Sequence, residues 1–335
     1  MKVGIAGLGL IGGSLALKLV KSGHNVIAWN HRFEPYDSAR KQGIVCVNSL
    51  EELAGLEPDI LVLCTPLKAM DSILETLERV LLPHTTLTDV GSVKREVLSS
   101  VTKHHLRQQF VGAHPMTGNE NASFAAADVH LFDAATWAVT VEGDTDFSRF
   151  LIVARLITDG AQNRFIVTDA HAHDLAAAQI SHMPHVVATV LANQLVESSE
   201  SNVAVALAAG SWRDMTRVAM TSPDRTQAMV EENPDNVAIL VRDIARRLNE
   251  VADILDGDNS ADKLVPLKRF FAEAEPYRRV RMELSKGIPA GMYSVHLDTD
   301  DDTWKAQLIQ ISQKGGRVEY IDAQEAHIRD FAHIR

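Results

Sequence analysis

The chain has 335 residues, 46% of them hydrophobic and 23% charged, with a formal net charge of −11. That length allows two ordinary domains and the composition is that of a soluble globular enzyme. The negative field repels nucleic acid and anionic membranes, so a small anionic substrate needs a local basic pocket. The two cysteines, Cys46 and Cys64, lie in apolar stretches and read as buried free thiols in a reducing cytoplasm rather than as a disulfide or metal site. The apolar run Val3 to Val20 follows Lys2 like a signal peptide. Five glycines and Lys18 interrupt it, and no small-residue cleavage site precedes a mature domain, so a leader or membrane span is not expected.

In chain order, Lys2 to Ala6 is a short apolar strand ending in glycines. Ile11 to Ser22 has helical composition and stops at Gly23. Asn25 to Trp29 is the next strand. Asp59 to Thr65 is a continuous apolar run, as in a parallel strand buried on both faces. Thr86 to Asp89, Phe110 to Ala113 and Trp137 to Val141 follow as strands with helical segments between them. This alternation predicts an α/β fold with a doubly wound parallel sheet of Rossmann type over 1–168. From Asp169 the pattern turns helical (Asp169 to Glu197, Asn202 to Met220, Asn236 to Leu255), giving an all-helical domain over 169–286. Tyr293 to Leu297, Trp304 to Gln313 and Arg317 to Ile321 read as a short β-α-β tail over 287–335, with Asp298 to Asp302 a solvated turn.

Gly7-Leu8-Gly9-Leu10-Ile11-Gly12 is a G-x-G-x-x-G between a strand and a helix. The first glycine permits the turn, the second lets the backbone approach a pyrophosphate, and the third lets helix and strand pack closely. The helix N-terminus offers N–H groups and partial positive charge to the phosphates. The next strand ends at Asn30-His31-Arg32, where an NAD-preferring site usually carries Asp or Glu on the ribose 2′-hydroxyl. Asn30 leaves no carboxylate to repel a 2′-phosphate, and Arg32 can bind one. NADP is therefore favoured, with NAD possible; the bland alternative is a solvated loop arginine. Thr65 and Pro66, at the end of a further strand, complete the expected cofactor-binding set.

Two segments, Asp89-Val90-Gly91-Ser92-Val93-Lys94 and Gly112-Ala113-His114-Pro115-Met116-Thr117-Gly118, end strands at the edge where such sheets bind ligands. A neutral His114 in a loop beside the nicotinamide position can take a proton from a hydroxyl as hydride leaves. Arg217 can hold a carboxylate bidentately. Against these stand ordinary structural roles. His171, His173, His182 and His185 sit at helical spacing, yet no cysteine or carboxylate cluster completes a zinc pattern, so no metal is expected.

In order, GLGLIGGS, DVGSVK, GAHPMTG, HD…SHMPH and GSWRDMTR resemble the prephenate/arogenate dehydrogenase family of tyrosine biosynthesis, with a look of its actinobacterial branch over Arg217 to Asn233. The resemblance covers the chain from the first strand to about Asn236. It implies hydride transfer from C4 of prephenate, with loss of CO₂, giving 4-hydroxyphenylpyruvate; arogenate, giving tyrosine directly, is the alternative. It implies that His114 receives the C4 hydroxyl proton and that Ser92 orients His114 near the nicotinamide. Arg217 binds the ring carboxylate, His185 lies near the substrate side chain, and Asp214 positions the helical-domain residues. Asn119 and Glu120 gate the pocket, and Gly210 approaches the neighbouring subunit's site in a cytoplasmic homodimer formed through the helical domain.

Thr117 replaces the small alanine usual in that loop, and Thr226 stands where many relatives carry tryptophan; both put substrate choice in doubt. The tail is too short for a complete ACT regulatory domain, and no chorismate mutase segment precedes the first strand. A β-hydroxyacid dehydrogenase would need a lysine in the helical domain, and Asp169 to Ala219 has none. A non-catalytic NADP-binding redox sensor would have no need of Ser92, His114 and Arg217 together.

Overall fold

The structure is a computed structural model that describes residues 1–119, 121–256, 260–285 and 291–331. It forms two compact units, Met1–His173 with Ala290–Phe331, and Asp174–Pro289.

In the first unit, β1 (Lys2–Ala6), β2 (Asn25–Trp29), β3 (Val45–Val47), β4 (Ile60–Leu63) and β5 (Thr86–Asp89) form a wholly parallel sheet in the order β3-β2-β1-β4-β5. The helices connecting them are α1 (Leu10–Lys21), α2 (Tyr36–Lys41), α3 (Leu50–Gly55) and α4 (Met70–Val80), with α5 (Arg95–Lys103) after β5. Val3, Ile5, Ile60, Leu61 and Val62 are completely buried, which is why β1 and β4 read as unbroken apolar runs. In α4, Met70, Ile73, Leu74 and Leu77 recur at helical spacing and pack with Leu61 and Leu63 on one face of the sheet. On the other face α1 packs with Val3, Ile5 and Val62.

The chain then leaves the simple alternation. β6 (Gly112–Pro115) pairs antiparallel with β7 (Thr136–Thr140); α6 (Phe147–Arg155) leads to β8 (Arg164–Thr168), which lies parallel to β7. The sixth strand thus opens a second, mixed sheet instead of extending the parallel one. A single parallel bridge between Leu87 and Phe110 links the two. The strand expected over Phe110 to Ala113 lies two residues later, so His114 sits in a strand and not in a loop. Strands β3, only three residues long, and β8 were not anticipated.

Helix α7 (Ala170–Ala177) starts in the first unit, and the second unit is helical. A π-turn, Ala178–His182, joins α7 to α8 (Met183–Glu197) in one 28-residue helix. Pro184 in the first turn of α8 has no N–H for the continuing ladder, and the π-turn absorbs that break. There follow α9 (Ser201–Leu207), α10 (Gly210–Thr216), a 3₁₀ turn (Arg217–Met220), α11 (Pro223–Glu231), α12 (Pro234–Asp256), α13 (Ser260–Ala272) and α14 (Glu275–Ser285). By length and composition the Ala170–Glu197 helix is apolar enough to cross a membrane, and only 22% of its most apolar stretch is buried within the chain.

The tail comprises β9 (Met292–His296), α15 (Trp304–Gln313), β10 (Gly316–Asp322) and an unanticipated β11 (Glu325–Asp330). It is no separate module. Val318 of β10 pairs with Phe165 of β8, completing the second sheet in the order β6-β7-β8-β10-β11-β9. Trp304 is completely buried, its ring 4.8 Å from that of Phe150 and 5.0 Å from that of Phe147. Trp304→Ala should therefore lower the stability of the first unit by about 3–5 kcal/mol, the range for removing a core tryptophan. Chemical denaturation followed by far-UV circular dichroism measures it; an unchanged midpoint would mean that the tail is only loosely attached.

Candidate active site

The glycine-rich loop lies between β1 and α1. Gly7 has φ +109°, and a Cβ there would sit 2.6 Å from the Cys64 carbonyl oxygen. A Cβ on Gly12 would come within 2.0 Å of the Gly7 carbonyl oxygen, so helix and loop touch backbone to backbone. Gly9 faces open space, with nothing within 4 Å of a built Cβ, and as N-cap of α1 it brings no side-chain oxygen to the first turn. The N–H groups of Leu10 and Ile11 thus begin the helix with its positive dipole end unneutralised. Beside the loop, the Thr65 hydroxyl is buried with no hydrogen-bond partner among the described residues, and Pro66 follows as the N-cap of a short turn. An open cradle, a bare helix N-terminus and an orphaned hydroxyl fit a dinucleotide pyrophosphate.

Asn30 does more than leave out a carboxylate. Its Oδ1 accepts the Leu8 N–H at 2.8 Å and its Nδ2 donates to the Arg32 carbonyl at 2.8 Å. It ties the glycine-rich loop to the end of β2, while His31 and Arg32 stay exposed. Cys64, packed against Gly12, is a free thiol; burial, and then the nearby Asp89 charge, push its pKa far above the usual thiol range. It stays protonated and inert at neutral pH.

At the end of β5, Asp89 and Lys94 form a completely enclosed ion pair. Asp89 Oδ1 accepts the Ala113 N–H at 3.2 Å, and Lys94 Nζ donates to the Ala113 carbonyl at 2.8 Å. Asp89 Oδ2 also accepts the Gly91 N–H at 2.9 Å. Both polar groups of the residue before His114 are held by this pair. The His114 imidazole is half-buried, and its Nδ1 lies 3.0 Å from His173 Nε2 in α7. Ser92 lies in the turn before Lys94. The partner that the fold sets against His114 Nδ1 is His173, a pairing that sequence spacing alone could not give across 59 residues.

The segment between β6 and β7 is fastened to α1 and to itself. Phe124 and Ala127 pack where Gly13 has no side chain, Ser14 Oγ accepts the Asp128 N–H at 2.9 Å, and Lys18 pairs with Asp133 at 3.2 Å. Thr117 Oγ1 donates to the Leu131 carbonyl at 2.8 Å, so its departure from alanine serves the loop. Asn119 Oδ1 caps the Asn121 N–H at 2.9 Å; Glu120 lies outside the described residues.

In the helical unit, His182 is buried, 3.3 Å from Asn233 Nδ2, which also donates to the Asp174 carbonyl at 2.7 Å. His171 is exposed and His173 buried, since residues two apart point to different sides of a helix. His185 Nδ1 donates to the Ser181 carbonyl at 2.9 Å, and its Nε2 lies 3.4 Å from Thr221 Oγ1. The turn that starts at Arg217 packs against α8, the helix that carries His185. Gly210, Asp214 and Arg217 are exposed, and Thr226 lies half-buried on α11.

Residues 15–166 match the family model described as prephenate dehydrogenase, nucleotide-binding domain, and 169–270 the one described as prephenate dehydrogenase, dimerization domain. The prephenate dehydrogenase of Lactococcus lactis subsp. cremoris is 30% identical over 308 residues, covering 90% of this chain and 83% of that one. The chain belongs to the prephenate dehydrogenase family. Among solved members, Synechocystis arogenate dehydrogenase is 27% identical with a TM-score of 0.72, covering 83% of this chain and 99% of its own. Prephenate dehydrogenase from A. aeolicus, solved with hydroxyphenyl propionate and NAD+, is 25% identical with a TM-score of 0.73, covering 85% and 98%. This member of the family is thus an oxidoreductase with a nicotinamide cofactor. The Asp89–Lys94 pair was not anticipated, although both residues stand in the DVGSVK segment; an Asp at the end of a strand with a Lys five residues on was the available signal. Lys94→Met should destabilise the protein by about 3–5 kcal/mol, because it leaves Asp89 as a buried unpaired charge. Urea denaturation at neutral pH checks this, and a change below about 1 kcal/mol would mean that water reaches the pair.

Proposed function

We propose that the chain oxidises prephenate to 4-hydroxyphenylpyruvate with loss of CO₂, using NADP, in tyrosine biosynthesis. The observation that carries this reading is His114, a half-buried imidazole at the sheet edge whose preceding peptide is gripped by a buried ion pair. The nicotinamide, when bound, accepts hydride from C4 of the substrate. His114 accepts the C4 hydroxyl proton. Arg217 binds the ring carboxylate by a charge-assisted bond until it departs as CO₂. Loss of CO₂ makes the ring aromatic, so the step is strongly downhill. By the family resemblance Ser92 serves the nicotinamide side, Asp214 and Gly210 serve the helical part, and Asn119 and Glu120 follow the catalytic segment in the chain.

NADP is supported by the absence of a carboxylate at the end of β2 and by the exposed Arg32. A homodimer through the helical unit is supported by the description of the matched model and by large apolar side chains left outside, such as Val196 and Leu207 at 79% and 77% exposure. The same surface reads as a protein interface and not as a membrane span. Two free thiols agree with a cytoplasmic location.

Arogenate is a second reading, favoured by His185. Because Nδ1 donates to the Ser181 carbonyl, Nε2 of the neutral ring, 3.4 Å from the Thr221 hydroxyl, acts only as an acceptor, which suits an ammonium group better than a keto acid. The deciding assay is kcat/KM for both substrates with each cofactor, followed at the reduced-nicotinamide absorbance band. A tenfold or greater preference for arogenate, in order of magnitude about 1.4 kcal/mol, would replace prephenate as the substrate.

His114→Asn should lower kcat by roughly 10²–10⁴ while dinucleotide binding is kept; near-normal turnover would remove His114 from the mechanism. Arg32→Ala should weaken NADP and spare NAD in fluorescence titrations, whereas equal effects would return Arg32 to the solvated loop.

A further inference from the structure

We propose that His173 sets the tautomer of His114 and relays its proton. The inference rests on His114 being the proton acceptor. The His114 Nδ1 to His173 Nε2 distance of 3.0 Å joins two ring nitrogens, with ring centroids 5.2 Å apart and planes at 70°. One nitrogen carries the hydrogen and the other the lone pair. If His173 donated, neutral His114 would hold its proton on Nε2 and have no lone pair to take the substrate's. If His114 donates from Nδ1, its Nε2 carries the lone pair that general-base chemistry requires. Only the second arrangement is competent.

The surrounding structure is built to hold His173 still. The residue is 4% exposed. It sits one turn into α7, directly after β8, and its N–H donates to the Asp169 carbonyl at 3.0 Å. Asp169 Oδ1 accepts the Ala172 N–H at 2.8 Å, and Glu142 accepts the Ala170 N–H at 2.9 Å. The helix start is thus pinned to the sheet that carries His114. The partner is an imidazole and not a carboxylate, so His114 is oriented without adding negative charge beside an anionic substrate.

The proton moves balance. The hydroxyl proton goes to His114 Nε2 while the hydride, with its electron pair, goes to the oxidised nicotinamide. His114, now protonated on both nitrogens, holds His173 through a charge-assisted bond. Passing the Nδ1 proton to His173 Nε2 leaves His114 neutral and puts the positive charge on His173.

Nitrogen-15 NMR of histidine-labelled enzyme without substrate reads the tautomer directly, apart from activity. Wild-type His114 should be the Nδ1–H form. In His173→Phe it should revert to the Nε2–H form, with kcat down by about 10² and KM and dinucleotide Kd within twofold. His173→Gln, whose Oε1 accepts but cannot carry a proton onward, should restore the Nδ1–H form and only part of the lost kcat. An Nε2–H form in wild-type enzyme, or turnover within twofold in His173→Phe, would overturn the proposal. Full recovery in His173→Gln would overturn the relay. Failure of the base assignment shows separately, as unimpaired turnover of His114→Asn, and leaves the tautomer result standing.

Discussion

The buried pair of Asp89 and Lys94 is the interaction on which the rest of the site depends. Two opposite charges shut away from water are tolerated only when every remaining donor and acceptor is engaged. Here the engaged partners are the N–H and carbonyl of Ala113 and the N–H of Gly91. The pair therefore closes the last strand of the parallel sheet and fixes the first strand of the second sheet in a single contact. His114 is the next residue, so the electrostatic demand of the pair becomes positional accuracy at the imidazole proposed as proton acceptor.

The cofactor and catalytic regions are mechanically joined through α1. Its N-terminus forms the open cradle at Gly9, and its next turns carry Gly13, Ser14 and Lys18, which grip the segment running on from His114. Anything that shifts α1 on dinucleotide binding acts on that segment directly. Thr117 belongs to this fastening through its bond to the Leu131 carbonyl. The helical unit uses a different device. Pro184 and the π-turn before it set the direction of α8, and the Ser181 carbonyl at that turn fixes which nitrogen of His185 carries hydrogen.

Much of this was legible in the sequence because the signals were local. The glycine spacing, the apolar runs of β1 and β4, and the change to helical composition near residue 169 each follow from interactions within a few residues. Helix α15 was read over the same residues, Trp304–Gln313, that the structure gives it. The five parallel strands agree with the doubly wound reading, as does the helical unit that follows.

What the tertiary structure decided were contacts between residues distant in the chain. The sixth strand turned antiparallel because its partner is β7, twenty-odd residues on, and this moved His114 from loop to strand. The tail joined the first unit because Trp304 fills a gap beside Phe147 and Phe150, a fit that no local pattern encodes. His173 met His114 across 59 residues, and Lys94 met Ala113 across 19. Sequence periodicity reports which side of an element is apolar. It does not report which buried polar group on another element will satisfy a given nitrogen or oxygen, because that depends on distances fixed only when the core has packed.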